Sequence, residues 1–265
     1  MSKGLLDPKV DFVFKNIFGS PNHPEILISF LNATLKAKKK IVNVDIKKTD
    51  IEKQYIEDKY SRLDVKATTS NDEIINIEIQ LKNENNMVKR SLYYLSKMYE
   101  EQLNEKEDYS KLVRTVCINI LNFKYLKTDN FHTGYRFKEI ESNEELTDIM
   151  EVHFIEIPKL QDSSDEKDML VAWTEFLKDP ESEKVRGLEL SIEEIRQAKD
   201  ELIRMSNDST QRELYDMRAN SLRDKMSELN AAERKGIEKG REEGREEGRK
   251  EEKIKIARNM KLSGL

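Results

Sequence analysis

Residues 62–82, RLDVKATTSNDEIINIEIQLK, constrain the fold more tightly than any other stretch of the chain. Leu63, Val65 and Ala67 alternate with Arg62, Asp64 and Lys66, and Ile75, Ile77, Ile79 and Leu81 alternate with Asn76, Glu78, Gln80 and Lys82. A period of two is the signature of extended strands with one apolar and one polar face. The intervening TTSNDE is turn chemistry, so the two runs form a hairpin. If the turn centres on Asn71, Asp64 and Glu78 stand directly opposed, each seven residues from the centre. Opposed Cβ atoms on antiparallel strands lie about 4.5 to 5.5 Å apart. Two carboxylates so placed repel, and a divalent cation, which takes hard oxygen ligands, resolves the repulsion. The alternative is a solvated polar face with every charge turned into water. The pattern leaves both open.

The elements around the hairpin define an α/β core with a mixed sheet. PKVDFVFKNIF, residues 8–18, places Val10, Phe14 and Ile17 on one helical face and stops at Gly19-Ser20-Pro21. A second helix is expected over residues 24–36 and a half-buried strand over 41–46, IVNVDI. After the hairpin, residues 86–104 read as an amphipathic helix with Leu92, Leu95, Met98, Tyr99 and Leu103 as its apolar stripe. VRTVCINIL, residues 113–121, reads as a buried strand, and VHFIEI, 152–157, as a further strand of the same sheet. Helices follow near 166–178, 191–206 and 209–229. Composition divides the chain into a core over residues 1–160, an acidic helical region over 161–230 and a charged tail over 231–265.

Charge is distributed regionally. Residues 1–124 are net +3, residues 125–230 net −11 and residues 231–265 net +3, which makes up the overall −5. The mildly basic first part permits a nucleic-acid partner without indicating one. A single cysteine, Cys117, excludes an internal disulfide and any zinc site built on several cysteines, and is read as a small buried apolar residue. The first residues lack the apolar core of a signal peptide and no run is long enough to span a membrane, so a cytoplasmic protein is expected. His23, His132 and His153 show no ligand spacing and receive no role. In the tail, Gly236, Gly240, Gly244 and Gly248 recur every four residues among Glu/Arg pairs. That stripe fits either a solvated helix or close pairing with a second copy or a partner helix.

Asp64 followed on the next strand by Glu78-Ile79-Gln80 is similar to the Asp…(Asp/Glu)-x-Lys signature of PD-(D/E)XK nucleases, with Gln in the Lys place. DPKVDFVFKNIFG, RLDVKA, INIEIQLK, KRSLYYLSKMYEEQL, LYDMR and GREEGREEGR together resemble the recombination-promoting nuclease (Rpn) family, also described as PD-(D/E)XK family transposases. The resemblance implies a restriction-endonuclease-like αβββαβ core followed by an α-helical C-terminal region. It implies a metal-dependent DNA endonuclease of recombination or mobile elements, with Asp64, Glu78 and the backbone carbonyl of Ile79 holding Mg²⁺ or another divalent ion. Gln80 takes the third motif position, where an amide orients water but carries no charge. Lys82 is the candidate replacement charge and Asp11 the candidate extra acid. Lys15, Lys89, Arg90 and Lys97 are candidate phosphate contacts. A catalytically degenerate interaction protein and a transposase-like strand-transfer enzyme are the competing functions.

Overall fold

The computed structural model describes residues 4–37, 39–47, 65–165 and 167–262. Two helices open the chain, α1 (Asp11–Phe18) and α2 (Pro24–Leu35). Pro24 at the first helical position of α2 needs no partner for a backbone N–H. Lys36 ends that helix in the left-handed region at φ 46°, its N–H donating to the Asn32 carbonyl. The strands β1 (Val44–Lys47), β2 (Val65–Thr69) and β3 (Ile74–Gln80) come next, then α3 (Met87–Glu100), β4 (Thr115–Leu121), β5 (His132–Lys138) and β6 (Glu145–Glu156). The remaining helices are α4 (Met169–Lys178), α5 (Glu183–Ser191), α6 (Glu193–Asn207) and α7 (Ser209–Leu262).

The six strands form one mixed sheet in the order β1-β2-β3-β4-β6-β5. Strands β1, β2 and β3 are antiparallel neighbours, β3, β4 and β6 run parallel, and β5 returns antiparallel along β6. The expected hairpin register holds: Val65 pairs with Ile77 and Thr68 with Ile74, each pair equidistant from Asn71. The turn closes through Thr69 N–H to the Glu73 carbonyl at 2.9 Å, with Asp72 at φ 59° supplying the left-handed residue that it needs.

Each face of the sheet is covered by helix. On one face Val65, in register with Ile77 and Ile118, adjoins Gly19 at the end of α1, and in the helical layer Phe14 stacks on Phe18 at 4.5 Å and Phe18 meets the Trp173 ring of α4 at 5.3 Å. On the other face Met87 and Leu95 of α3 pack on Cys117, Leu121, Val152 and Phe154. The stripe of α3 differs from the expected one. Met87, Ser91, Tyr94, Leu95 and Met98 face inward, whereas Leu92 is 47% exposed. Ser91 takes the inward place because its hydroxyl finds a buried partner in Asn119.

Two elements escaped the sequence pattern altogether, β5 and α5, and β6 begins seven residues before the expected strand. Residues Met1–Tyr215 form one compact unit, in which Leu6 N–H donates to Ser206 Oγ at 3.0 Å. Asp216–Leu265 form a second, containing the rest of the 54-residue helix α7. Among the described residues no helix is long and apolar enough to cross a membrane.

Candidate active site

Strand β3 is third of six, and its residues Ile75–Ile79 are buried on both faces. A strand in that place normally reads as continuously apolar. Here Asn76 and Glu78 point at α3 and both are wholly buried. The solvated polar face is therefore excluded for these two residues. Across the parallel ladder Asn76 lies beside Cys117, Glu78 beside Asn119 and Gln80 beside Leu121. The α3 face of the sheet thus carries a polar inlay among apolar neighbours.

Arg90, in the first turn of α3, supplies the charge for Glu78. Its Nε donates to Glu78 Oε2 at 3.1 Å, and its guanidinium lies 5.4 Å from the centre of the Tyr94 ring. Burial pulls the Arg90 pKa down, but the attraction of Glu78, with smaller contributions from Tyr94 and Glu84, outweighs it and leaves the group above its ordinary value. Ser91 Oγ lies 2.8 Å from Asn119 Oδ1, and Asn119 Nδ2 donates to the His153 carbonyl at 3.1 Å. Asn76 Nδ2 lies 3.9 Å from Cys117 Sγ, while Asn76 Oδ1 is buried with no hydrogen-bond partner among the described residues. Burial and the nearby Glu78 charge push the Cys117 thiol up to about 12, so it is no nucleophile near neutrality.

Asp64 lies outside the described residues. Gln80 closes β3 half-buried on the Glu78 face, and Lys82 follows just beyond the strand, also half-buried. Ile79 follows Glu78 with its side chain buried on the opposite face. Asp11 begins α1, where its Oδ1 accepts from the Phe12 N–H at 2.7 Å. Since Gly19 at the end of α1 adjoins Val65, α1 lies over the sheet face opposite Glu78. Lys15 is half-buried in α1. Lys89 is exposed on α3, one residue from Arg90. Lys97 is engaged with Glu100 at 3.0 Å and Glu101 at 3.9 Å.

A second buried polar network lies on the opposite face. His132 Nε2 and His153 Nδ1 are 2.9 Å apart, and His153 Nε2 is 2.7 Å from Glu151 Oε1. Arg136 Nε donates to Glu151 Oε2 at 3.0 Å, and Arg114 bridges Glu151 and Glu73. Burial alone would raise the Glu151 carboxyl; hydrogen bonds from His153, Arg114 and Arg136 override it and hold it at about 2. Burial, followed by the neighbouring His153 and Lys36, lowers His132 to about 4. This network is not legible from sequence, because β5, which carries His132, shows no apolar alternation. Gly134 is what lets β5 approach: a Cβ there would lie 3.1 Å from His153 Cε1.

Strand β3 thus carries a buried acid two residues before a Gln at the strand end, inside a mixed sheet flanked by α1 and α3. The model of the PD-(D/E)XK nuclease family transposases matches residues 8–232. The chain belongs to that family. A search of the curated proteins returned no match, and a search of the solved structures returned none. The PD-(D/E)XK match spans all six strands, α1 through α6 and the first part of α7, and supports the α/β nuclease fold and a nuclease or transposase-like role. Divalent metal ions are the cofactor class of PD-(D/E)XK nucleases. Among the described residues no three His, Cys, Asp or Glu side chains cluster as metal ligands. The described part of the site nevertheless offers oxygen donors of the hard type, the Glu78 carboxylate with the Asn76 and Gln80 amides on the same face.

Proposed function

We propose that the protein is a divalent-metal-dependent DNA endonuclease, with Mg²⁺ as the ion, acting in recombination or on mobile elements. The observation that carries this reading is the wholly buried Glu78 carboxylate on the central strand, facing Arg90. A buried ion pair is poor currency for stability, since apolar residues of similar volume commonly do as well or better. An acid retained at that cost is better understood as a working group, here as a metal ligand.

Asp64, Glu78 and the Ile79 carbonyl would hold the ion. The described hairpin pairs, Val65 with Ile77 through Thr68 with Ile74, are all equidistant from Asn71, which supports the reading of the sequence that sets Asp64 opposite Glu78. When bound there, a divalent ion would supply Lewis-acid stabilisation of a phosphate oxygen and would lower the pKa of the attacking water. Glu78 contributes charge from a rigid strand, a placement that costs no reorganisation when charge develops. Gln80 orients water through its amide but carries no positive charge. Lys82, just beyond β3, is the candidate for the missing charge, whereas Asp11, on α1 over the opposite face of the sheet, is not counted among the groups around Glu78. Lys89, exposed on α3, is the candidate phosphate contact beside Glu78, while Lys15 lies on α1 over the opposite face of the sheet. Lys97 is a weaker candidate because its ammonium is shared with Glu100 and Glu101.

Plasmid nicking tests the reading. Cleavage is expected with Mg²⁺, to be abolished by EDTA, and to fall at least about a hundredfold in Asp64→Ala and Glu78→Ala, the scale of losing a principal electrostatic group. Cleavage that survives chelation and both substitutions would reject the site. No cleavage by the purified wild-type protein under any condition would favour a nuclease-fold binding protein.

A further inference from the structure

Arg90 creates a problem for metal binding. Its Nε already occupies Glu78 Oε2 at 3.1 Å, in a place closed to water on the Glu78 side. A divalent ion on the same carboxylate would set two positive groups against each other where solvent screens them little. Asn76 and Asn119 are neutral amides and offset neither charge. Ion and guanidinium therefore compete for Glu78.

Arg90 also has somewhere else to go. It stands in the first turn of α3, and its side chain keeps 24% of its surface exposed although its Nε meets the wholly buried Glu78. Tyr94, one turn on, offers a ring face, which a guanidinium keeps while its donors change partner. Glu84, exposed in the loop between β3 and α3, is a second acid acting on the Arg90 charge. Arg90 thus feels one wholly buried acid, Glu78, to which it is hydrogen-bonded, and more weakly one exposed acid, Glu84.

We propose that Arg90 is an exchangeable placeholder cation: it holds the Glu78 carboxylate in the metal-free protein, yields it to an incoming divalent ion, and turns outward towards Glu84 and the substrate phosphate. The proposal rests on the metal-site reading of Glu78. It assigns the positive charge that Gln80 cannot supply to a residue of α3 instead of the strand. Arg90 acts in the metal-free state as a positioning residue, and its exchange links metal loading to exposure of a phosphate-binding group.

Calcium, a divalent probe that can be titrated without turnover, tests this by calorimetry on the full chain. Arg90→Gln removes the competitor and should tighten Ca²⁺ binding about tenfold while lowering Mg²⁺-dependent nicking by about tenfold, a division a purely structural arginine does not produce. Arg90→Lys, which keeps the charge but lacks the planar fork, should fall between wild type and Arg90→Gln in both. The wild-type protein supplies a second measurement that needs no variant. The Arg90 Nε–H resonance should move on Ca²⁺ titration with the same midpoint as the heat, and should not respond in Glu78→Gln. If wild type binds Ca²⁺ and Glu78→Gln abolishes it, yet Arg90→Gln binds no tighter and the Nε–H signal stays in place, the placeholder is overturned and the metal site stands. If wild type binds no Ca²⁺, the metal reading falls and the placeholder falls with it.

Discussion

At the scale of single residues, the molecule turns on Glu78 and Arg90. Truncating one partner of a buried pair leaves the other charge uncompensated, which costs about 3 to 5 kcal/mol. Arg90→Ala should therefore lower the unfolding free energy by that order in urea melts, since Glu78 has no exposed surface. Replacing both residues by Leu should recover most of the loss while leaving cleavage absent, which separates the pair's contribution to stability from its contribution to chemistry. Sequence alone disclosed that Glu78 and Gln80 share a strand face, because alternation fixes faces. It could not disclose that the face is dry. The compensating cation lies twelve residues away on another element, and only the packing of α3 onto β4 brings it over Glu78.

At the scale of elements, α3 is the lid of the site, and its orientation is testable by a pair of leucines. Leu95 is buried against the sheet, so Leu95→Ala should cost about 2 to 5 kcal/mol. Leu92 is largely exposed, so Leu92→Ala should stay within about 0.5 kcal/mol. Counting apolar residues placed Leu92 inside and missed Ser91. The inward serine is stabilised by Asn119, a contact between elements that no local period encodes. Strand β5 was invisible for a related reason: HTGYRFK is exposed along most of its length, so it shows no apolar alternation. That strand and β6 carry the acid-sensitive network. His132 is held at about 4 against an ordinary 6.5, so the unfolded chain binds the proton first, and stability falls as pH drops from 6.5 to about 4. Glu151, held at about 2 against 4.5, adds a loss as pH drops further from 4.5 to about 2. Urea midpoints measured across these ranges should fall in both windows, and His132→Gln should flatten the upper one only.

At the scale of the whole molecule, a mixed-sheet unit and a long helix have different kinds of stability. The hairpin, α2, α3 and β4 were legible because their apolar periods are strong, and the helix–strand–helix order followed from them. The tail was legible as helical from its Glu/Arg pairs despite its glycines, and α7 runs unbroken through all four. Beyond the adjoining backbone of its own helix, a Cβ at Gly236, Gly240, Gly244 or Gly248 would meet no atom of the described residues within 4 Å. Replacing all four by Ala should raise helix stability by about 1 kcal/mol each, read as a higher melting temperature of the tail's circular dichroism signal. Light scattering on the same variant reports whether the glycines also serve pairing between copies, in which case the assembled mass drops. The claim on which the rest depends, that residues 64 and 78 share one ion, is tested most directly by anomalous diffraction from crystals soaked in Mn²⁺. A peak touching the Asp64 and Glu78 carboxylates and the Ile79 carbonyl is expected, with Arg90 turned away from Glu78; Mn²⁺ bound elsewhere, with Arg90 still on Glu78, would contradict it.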